Sequence, residues 1–255
     1  MSNDRIANLA VQMYSLRDLT QPLGEVLREV AAAGYSGIET VGTQGVSAAE
    51  LKKLVDEHNL KVVSSHVGFA DLEADLEGII AAHKTLGNDT LIAPSLPAEA
   101  RSDRASDWQA LGERLGKLAS ACDEAGIRLM YHNHDFEMRP VEGRMALEWL
   151  FDGAPETLGL ELDLAWVVRG DRDPLDLLNT FSGRVKYVHV KDVAPAGQNE
   201  DEDGWADVGA GTLDWDILLP ASKAAGTEWF VVEHDQPKDP LASVRNSANY
   251  LSSKL

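Results

Sequence analysis

Histidine and carboxylate side chains stand at the ends of short apolar runs along this chain. Asp163 ends the run LELD, His189 lies in HVKD, and Glu233 lies in VEHD. A carboxylate buried without a partner costs several kcal/mol, so carboxylates that converge on one cavity need a compensating cation. Imidazole and carboxylate ligands without a thiolate fit Mn²⁺, Mg²⁺, Co²⁺, Fe²⁺ or Zn²⁺ and do not resemble a structural zinc site. We therefore predict that these three residues hold one divalent metal ion.

Four further polar side chains fall at comparable positions and are candidates for contact with a substrate. His66 ends the run VVSSH, His132 and His134 belong to YHNHDFE, and Lys191 follows His189 in HVKD. We predict that His66 and Lys191 contact the substrate. His132, His134 and Lys191 are predicted to move protons or to hold hydroxyl groups. The alternatives are a hydrogen-bonded structural role for His66 and a salt bridge to a predicted carboxylate ligand for Lys191.

The elements that must position these side chains are short β-rich runs separated by amphipathic runs. Their alternation along the whole chain is typical of parallel βα units. Each β-rich run is mostly apolar, which is the pattern of strands buried on both faces. The eight predicted strands are Ile6–Met13, Gly37–Thr40, Lys61–His66, Thr90–Pro94, Ile127–Asn133, Gly159–Asp163, Val185–Val190 and Trp229–Glu233.

Glycine turns repeat between the helical runs and the strands that follow them. The sequences AAAGY, TLGND, DEAGI and KAAGT each place a glycine just after a helix, where a C-terminal cap belongs. An open doubly wound sheet would have a glycine-rich turn after its first strand, and the turn Tyr14–Asp18 has no glycine. We therefore predict a single (β/α)₈ TIM barrel, an α/β fold, that spans residues 1–255 as one domain. Such barrels carry their reacting groups at the carboxyl ends of the strands.

The charge of the chain restricts its partners. The 255 residues include 42 acidic and 23 basic side chains, which give a formal net charge of −19. This charge repels phosphate backbones and anionic lipid surfaces, so neither nucleic acid nor a membrane is expected as a partner. No run is apolar enough for a membrane span, and the start of the chain lacks the regions of a signal peptide. These features predict a cytoplasmic enzyme, and they leave open whether it is a homo-oligomer.

Two segments after the seventh strand admit more than one interpretation. Ala194–Gly211 is a long loop with the acidic run QNEDEDG, which indicates a solvated loop or, alternatively, a lid over the site. The segment VGAGTLDW has two glycines but neither a P-loop lysine nor the Rossmann spacing. A turn before the next helix is therefore favoured over a phosphate cradle. Free keto-sugars or polyols fit the acidic composition better than sugar phosphates.

Six stretches together resemble a known family. They are VQMYSLRD, YHNHDFE, LELDLAW, HVKD, VGAGTLDW and VEHD, and in this order they resemble the sugar phosphate isomerase/epimerase group of xylose isomerase-like TIM barrels. The resemblance covers essentially the whole chain. It implies a metal held by a glutamate, an aspartate, a histidine and a second glutamate. By motif, Asp163, His189 and Glu233 carry over as three of these four ligands.

The chain departs from this family at two positions. Many relatives carry the first glutamate directly on strand five, where this chain has His132, Asn133 and His134. The nearest glutamate is Glu137, which we expect to be the fourth ligand, with His132 or His134 as the alternative. Many sugar epimerases of this type have a histidine three residues after the aspartate, where this chain has Trp166. We predict that this ring forms a stacking wall for a sugar substrate, with ordinary core packing as the alternative.

The resemblance implies a divalent-metal-dependent isomerase or epimerase that acts on a keto-sugar or polyol through an enediolate, with Mn²⁺ as the expected metal. Proton removal beside a carbonyl becomes easier when the developing charge falls on oxygens that a cation holds. Glu137 and Glu233 resemble the pair of glutamates that exchange this proton in the family. The alternative is a lyase or dehydratase of the same superfamily, which expels a β-substituent from a 3-keto-sugar or keto-inositol. An abasic-site endonuclease and a binding barrel without turnover are further alternatives, which the acidic charge and the several acid and base candidates disfavour.

Overall fold

Eight parallel strands close into a barrel in the computed structural model, which describes residues 5–255. Each strand pairs with its neighbours in chain order, and the last strand pairs with the first. The predicted (β/α)₈ barrel and the positions of its eight strands are confirmed. The strands are β1 (Leu9–Gln12), β2 (Gly37–Val41), β3 (Lys61–His66), β4 (Thr90–Ala93), β5 (Arg128–His132), β6 (Leu158–Asp163), β7 (Val185–Val190) and β8 (Trp229–Val232).

The first strand is shorter than the predicted run Ile6–Met13. Asn8 has a φ of 58°, which is a left-handed conformation outside the strand region. Met13–Leu16 forms a 3₁₀ helix, and the side chain of Gln12 accepts a hydrogen bond from the backbone N–H of Tyr14 at its start. The strand therefore ends at Gln12, whose buried side chain lies at the carboxyl end of the barrel.

Ten α-helices are found in the described part of the chain. They are α1 (Leu23–Ala32), α2 (Ala48–Glu57), α3 (Phe69–Ala74), α4 (Leu76–Leu86), α5 (Ala105–Glu124), α6 (Ala146–Gly153), α7 (Leu164–Arg169), α8 (Pro174–Thr180), α9 (Trp215–Ala225) and α10 (Pro240–Leu251). Gly87 and Gly226 end α4 and α9 with φ of 74° and 107°, which only glycine adopts without steric cost. Within residues 5–255, no helix combines the length and apolar character that crossing a bilayer requires.

A layer of apolar side chains inside the barrel lies below the polar residues of interest. Its members are Ala10, Val63, Ile92, Met130, Tyr187 and Val231. Side chains two positions apart on a strand point to the same face. Gln12, His132, His189 and Glu233 stand two positions after Ala10, Met130, Tyr187 and Val231 of this layer. The strand period alone therefore carries these side chains into the barrel at its carboxyl end.

The loop Ala194–Gly211 is held against the barrel. Trp205–Ala206 pairs with Asp192–Val193 as a two-stranded antiparallel sheet, and the Trp205 side chain is fully buried. The Asp192 carboxylate accepts hydrogen bonds from the far end of the loop and beyond, from the backbone N–H groups of Gly209 and Leu213 and the indole of Trp215. Four of the seven residues of the acidic run are exposed, whereas Trp205, Ala206 and Val208 of the same loop are buried. The segment VGAGTLDW forms the turn that leads into α9.

Candidate metal centre

The ligands predicted by motif meet at the carboxyl end of the barrel. Asp163 ends β6, His189 lies near the end of β7, and Glu233 directly follows β8. His132, the last residue of β5, joins them, and all four side chains are buried. One ligand atom from each of these four residues lies within 4.8 Å of the others. The structure therefore brings Asp163, His189 and Glu233 together with an imidazole from β5.

His189 stands at the middle of this group because its two ring nitrogens face different carboxylates. Nδ1 lies 3.1 Å from Oε2 of Glu233 and 3.8 Å from Oδ2 of Asp163. On the other side of the ring, Nε2 lies 2.8 Å from Oε1 of Glu39 and 3.1 Å from Oε2 of Glu161. The imidazole thus separates an upper pair of carboxylates, Asp163 and Glu233, from a lower pair, Glu39 and Glu161.

The lower carboxylates were not singled out from the sequence. Glu161 belongs to a second group that could hold a metal, made of His66, His132, Glu161 and His189. Glu39 lies outside that group and contacts two of its members, His66 and His189. Glu39 lies within the run GIETV of β2, and Glu161 lies two residues before Asp163 on β6. A charged residue inside an otherwise apolar parallel strand was the available signal, because such strands are buried on both faces.

Two carboxylate oxygens in this cluster are buried without a hydrogen-bond donor in the described residues, and the one in the upper pair, on Asp163, fits a bound cation. Oδ1 of Asp163 accepts a hydrogen bond of 2.8 Å from the backbone N–H of Trp166, which caps α7. Oδ2 of Asp163 and Oε1 of Glu161 are buried and find no hydrogen-bond donor anywhere in residues 5–255. A buried acceptor without a donor costs free energy. A divalent cation satisfies such oxygens, and imidazole and carboxylate donors are the ligands that it prefers.

Lys191 is fully buried beside the upper carboxylates. Its Nζ lies 2.5 Å from Oδ2 of Asp235, 3.1 Å from Oε2 of Glu233 and 3.7 Å from Oδ2 of Asp163. The same Nζ lies 4.2 Å from the ring centre of Trp205. The salt-bridge interpretation of Lys191 therefore agrees with the structure, and its contacts are with three carboxylates at once.

The upper part of the cluster is strongly charged. Burial alone would raise the pKa of the Glu233 carboxyl, but Lys191 and His189 together hold it well below its usual range. Burial alone would lower the pKa of His189, but Glu161, Glu233 and Glu39 raise it well above its usual value. The ionised carboxylate of Glu233 therefore lies 3.1 Å from the imidazole of His189, and the neighbouring carboxylates stabilise the protonated form of that imidazole.

Burial favours the uncharged forms of Asp163 and His132. Burial raises the pKa of Asp163 to about 6, although Lys191 and His189 oppose the rise. Burial and the neighbouring His189 lower the pKa of His132 well below its usual value. A neutral imidazole has a free lone pair, so His132 is ready to act as a metal ligand.

Glu137, the expected fourth ligand, is not brought into this group. Its carboxylate accepts hydrogen bonds from the hydroxyl of Tyr131 and, at 2.8 Å, from the backbone N–H of His134. It belongs to neither of the two groups of candidate ligands in the described residues. The 3₁₀ turn Phe136–Met138 carries the side chain back toward β5, and burial raises its pKa to about 7. The residue of β5 that contacts the site is instead His132.

A cavity of about 440 Å³ opens over the cluster. The predicted substrate-contact residues His66 and Trp166 line it, together with His134. The Trp166 ring packs edge-on against Trp205 at 4.7 Å between ring centres, so the docked loop supports this wall. Burial and Lys191 lower the pKa of His134 to about 3, and its Nδ1 has no hydrogen-bond partner among the residues that the structure describes. The remaining lining residues are Tyr14, Arg17, Val41, Pro94, Ser95, His132, Glu233, Asp235 and Gln236.

Known proteins resemble this chain in sequence over most of its length. The rhizopine catabolism protein MocC of Rhizobium meliloti is 28% identical over 247 residues, which cover 84% of this chain and 75% of that protein. An inosose dehydratase of Lacticaseibacillus casei is 22% identical over 267 residues, which cover 91% of this chain and 89% of that protein.

Solved structures share the fold. A sugar phosphate isomerase/epimerase from Parabacteroides distasonis has a TM-score of 0.83 at 23% identity and covers 100% of this chain and 96% of its own. The IOLI protein with a bound zinc atom has a TM-score of 0.76 at 18% identity and covers 96% of this chain and 97% of its own. The family model described as the xylose isomerase-like TIM barrel matches residues 27–254. The chain therefore belongs to the xylose isomerase-like TIM barrel family.

Proposed function

We propose that this protein is a divalent-metal-dependent lyase that expels a β-substituent, such as water, from a keto-inositol or a 3-keto-sugar. The observation that carries the proposal is the convergence of His132, Asp163, His189 and Glu233, of which His132 and Glu233 line the cavity. The buried Oδ2 of Asp163 has no donor in the described chain. These four side chains would hold the cation. When bound, a divalent cation supplies Lewis-acid stabilisation of negative charge on a substrate carbonyl oxygen.

The charges around the cavity favour Glu233 as the base. Lys191 and His189 hold the pKa of its carboxyl well below its usual range, so it is ionised. Asp235 also lines the cavity, but its Oδ2 lies 2.5 Å from Nζ of Lys191, so it stays paired with that ammonium. We assign Glu233 as the base that takes the proton beside the carbonyl, and the carboxyl so formed returns that proton to the departing hydroxyl. The C–H and C–O bonds break, a C=C bond forms, and water leaves.

The other lining residues bind and orient the substrate. His134 lines the cavity and burial keeps its imidazole neutral, so the ring can share a hydrogen bond with a substrate hydroxyl. Trp166 offers a flat apolar face against which a ring can stack. His66 reaches the cavity from β3 while its Nε2 is bound below. Lys191 keeps Glu233 ionised through their 3.1 Å contact.

Elimination is favoured over the isomerisation or epimerisation that the resemblance implied. Two similar proteins, from Lacticaseibacillus casei and Geobacillus kaustophilus, are named inosose dehydratases, and the loss of water that this name describes is an elimination. The epimerases of the family use two glutamates that bracket the metal. Here Glu233 lies at the cluster, but Glu137 is tied to Tyr131 and His134. The carboxylate that should return the proton from the opposite face is therefore missing from its expected place.

The test is to follow the fate of a keto-inositol and a 3-keto-glycoside with Mn²⁺-loaded protein in D₂O. We expect loss of the β-substituent, seen by mass spectrometry as the loss of water or release of the aglycone. The variant Glu233→Gln should be slower by at least about 100-fold. Glu228→Gln is the matched control, because Glu228 pairs with Arg128 at the opposite end of the same strand, and it should retain activity. Deuterium uptake into an intact epimerised sugar, without elimination, would favour the isomerase instead.

A further inference from the structure

Below the candidate metal ligands, three imidazoles meet two carboxylates inside the barrel. Oε2 of Glu161 lies 2.9 Å from Nε2 of His66, 3.1 Å from Nδ1 of His132 and 3.1 Å from Nε2 of His189. Oε1 of Glu39 lies 2.9 Å from Nε2 of His66 and 2.8 Å from Nε2 of His189. One oxygen of each carboxylate is therefore the shared acceptor for several ring nitrogens.

The lower carboxylates are themselves anchored. Gln12 donates a hydrogen bond of 2.7 Å to Oε1 of Glu39, and the hydroxyl of Ser64 donates to its Oε2. Both Glu39 and Glu161 are completely buried. Carboxylates are almost never fully buried unless they are paired, and apolar side chains fill the barrel just below them. Packing therefore gives no reason for these two charges, whereas their imidazole contacts do.

In His132 and in His189, one ring nitrogen contacts a lower carboxylate and the other is left for the cation. A histidine that binds a metal through one nitrogen donates the N–H of the other to a carboxylate or carbonyl, which fixes the tautomer and the ring orientation. Nε2 of His189 faces Glu39 and Glu161, and this leaves Nδ1 on the side of Asp163 and Glu233. Nδ1 of His132 faces Glu161, and this leaves its Nε2 as the nitrogen for the cation.

We propose that Glu161, with Glu39 behind it, is a positioning residue that orients both histidine ligands of the metal. Glu161 contacts His132 and His189 together, whereas Glu39 contacts only His189 of the two. Glu161 therefore has the larger effect. The inference rests on the proposed function, because it requires the cation to lie among His132, Asp163, His189 and Glu233.

The experiment measures the binding of Co²⁺ to the full chain by calorimetry and by its visible absorption spectrum, which reports the coordination geometry. Glu161→Leu should lower the Co²⁺ affinity by about 10- to 100-fold and change the spectrum, since carboxylates behind metal-bound histidines have effects of this size. Glu161→Gln retains an oxygen acceptor and should restore part of the affinity. Glu39→Gln should weaken binding less than Glu161→Leu.

The matched control is Glu137→Gln. Glu137 is an equally buried carboxylate, but its partners are the Tyr131 hydroxyl and the His134 backbone N–H rather than the rings of His66, His132 and His189. This variant should leave the Co²⁺ affinity and spectrum unchanged. Circular dichroism establishes that each variant is folded. If Glu161→Leu does not fold, Glu161→Gln and Glu39→Gln decide the question through the same two readouts.

The positioning role of Glu161 is overturned if every folded variant of Glu161 and Glu39 retains the Co²⁺ affinity and the spectrum of the wild type. That result would leave the metal site itself intact. Wild-type protein that binds no Co²⁺ would overturn the proposed function and the positioning role together. The two failures are therefore distinguishable from the wild-type titration alone.

Discussion

Glu137 offers a test that separates a buried structural carboxyl from a metal ligand. Its side chain is completely buried and is bound to the Tyr131 hydroxyl and the His134 backbone N–H. Glutamine has almost the same shape but carries no charge at any pH. We predict that the metal-free Glu137→Gln variant gains stability relative to the wild type as the pH rises from about 4.5 to about 7, and that its metal affinity is unchanged.

The magnitude follows from the pKa of this carboxyl. Burial raises the pKa of Glu137 from 4.5 to about 7 in the folded protein. A group whose pKa is higher in the folded state stabilises the fold below its unfolded pKa, and this contribution is lost as the pH rises through its folded pKa. The loss therefore falls between about pH 4.5 and pH 7. A shift of this size corresponds to about 3 kcal/mol.

The assay is urea denaturation of wild type and Glu137→Gln across this pH range, with chelator present so that no cation contributes. The free energy of unfolding of the variant minus that of the wild type should rise by about 3 kcal/mol from the acidic to the neutral end. Surface carboxyls are common to both proteins and cancel in the difference. A difference that stays constant with pH, or a metal affinity that falls by about 100-fold in the variant, would refute this reasoning.

Two further perturbations test the surroundings of the cluster. Lys191→Met leaves the buried carboxylates of Glu233 and Asp235 without their cation and should lower the free energy of unfolding of the metal-free protein by about 3–5 kcal/mol; an unchanged denaturation midpoint would contradict the buried ion pairs. Asp192→Asn replaces an acceptor oxygen that serves the loop with an amide donor and should cost about 1–3 kcal/mol. Amide hydrogen exchange should become faster across residues 194–211, and exchange equal to the wild type would show that Asp192 does not hold the loop.

The fold was predictable because its signals are local and repeated. Strands of a parallel barrel are buried on both faces, so each of the eight appears as a short apolar run. Glycines such as Gly87 and Gly226 mark the helix ends because their backbone is left-handed. The meeting of the candidate ligands Asp163 and His189 was predictable for the same reason, since a strand end in a barrel has a known position.

The remainder of the site depends on side-chain direction, which the sequence does not specify. Glu137 is the nearest glutamate after β5 along the chain, but the 3₁₀ turn that contains it points it at Tyr131. Glu39 and Glu161 stand out in the sequence as charges inside apolar strands, but their shared contacts with His66 and His189 require the folded barrel. Trp205 lies within an acidic loop, and its role as a support for Trp166 requires the docked geometry of that loop.

The most direct test of the metal centre is the X-ray absorption spectrum of the Zn²⁺-loaded protein, compared between the wild type, His132→Ala and His134→Ala. We predict two imidazole nitrogens at about 2.0–2.1 Å together with oxygen ligands in the wild type. The imidazole count should fall to one in His132→Ala and stay at two in His134→Ala. A wild-type spectrum with a single imidazole, or a count that His132→Ala leaves unchanged, would contradict a cation held by His132, Asp163, His189 and Glu233.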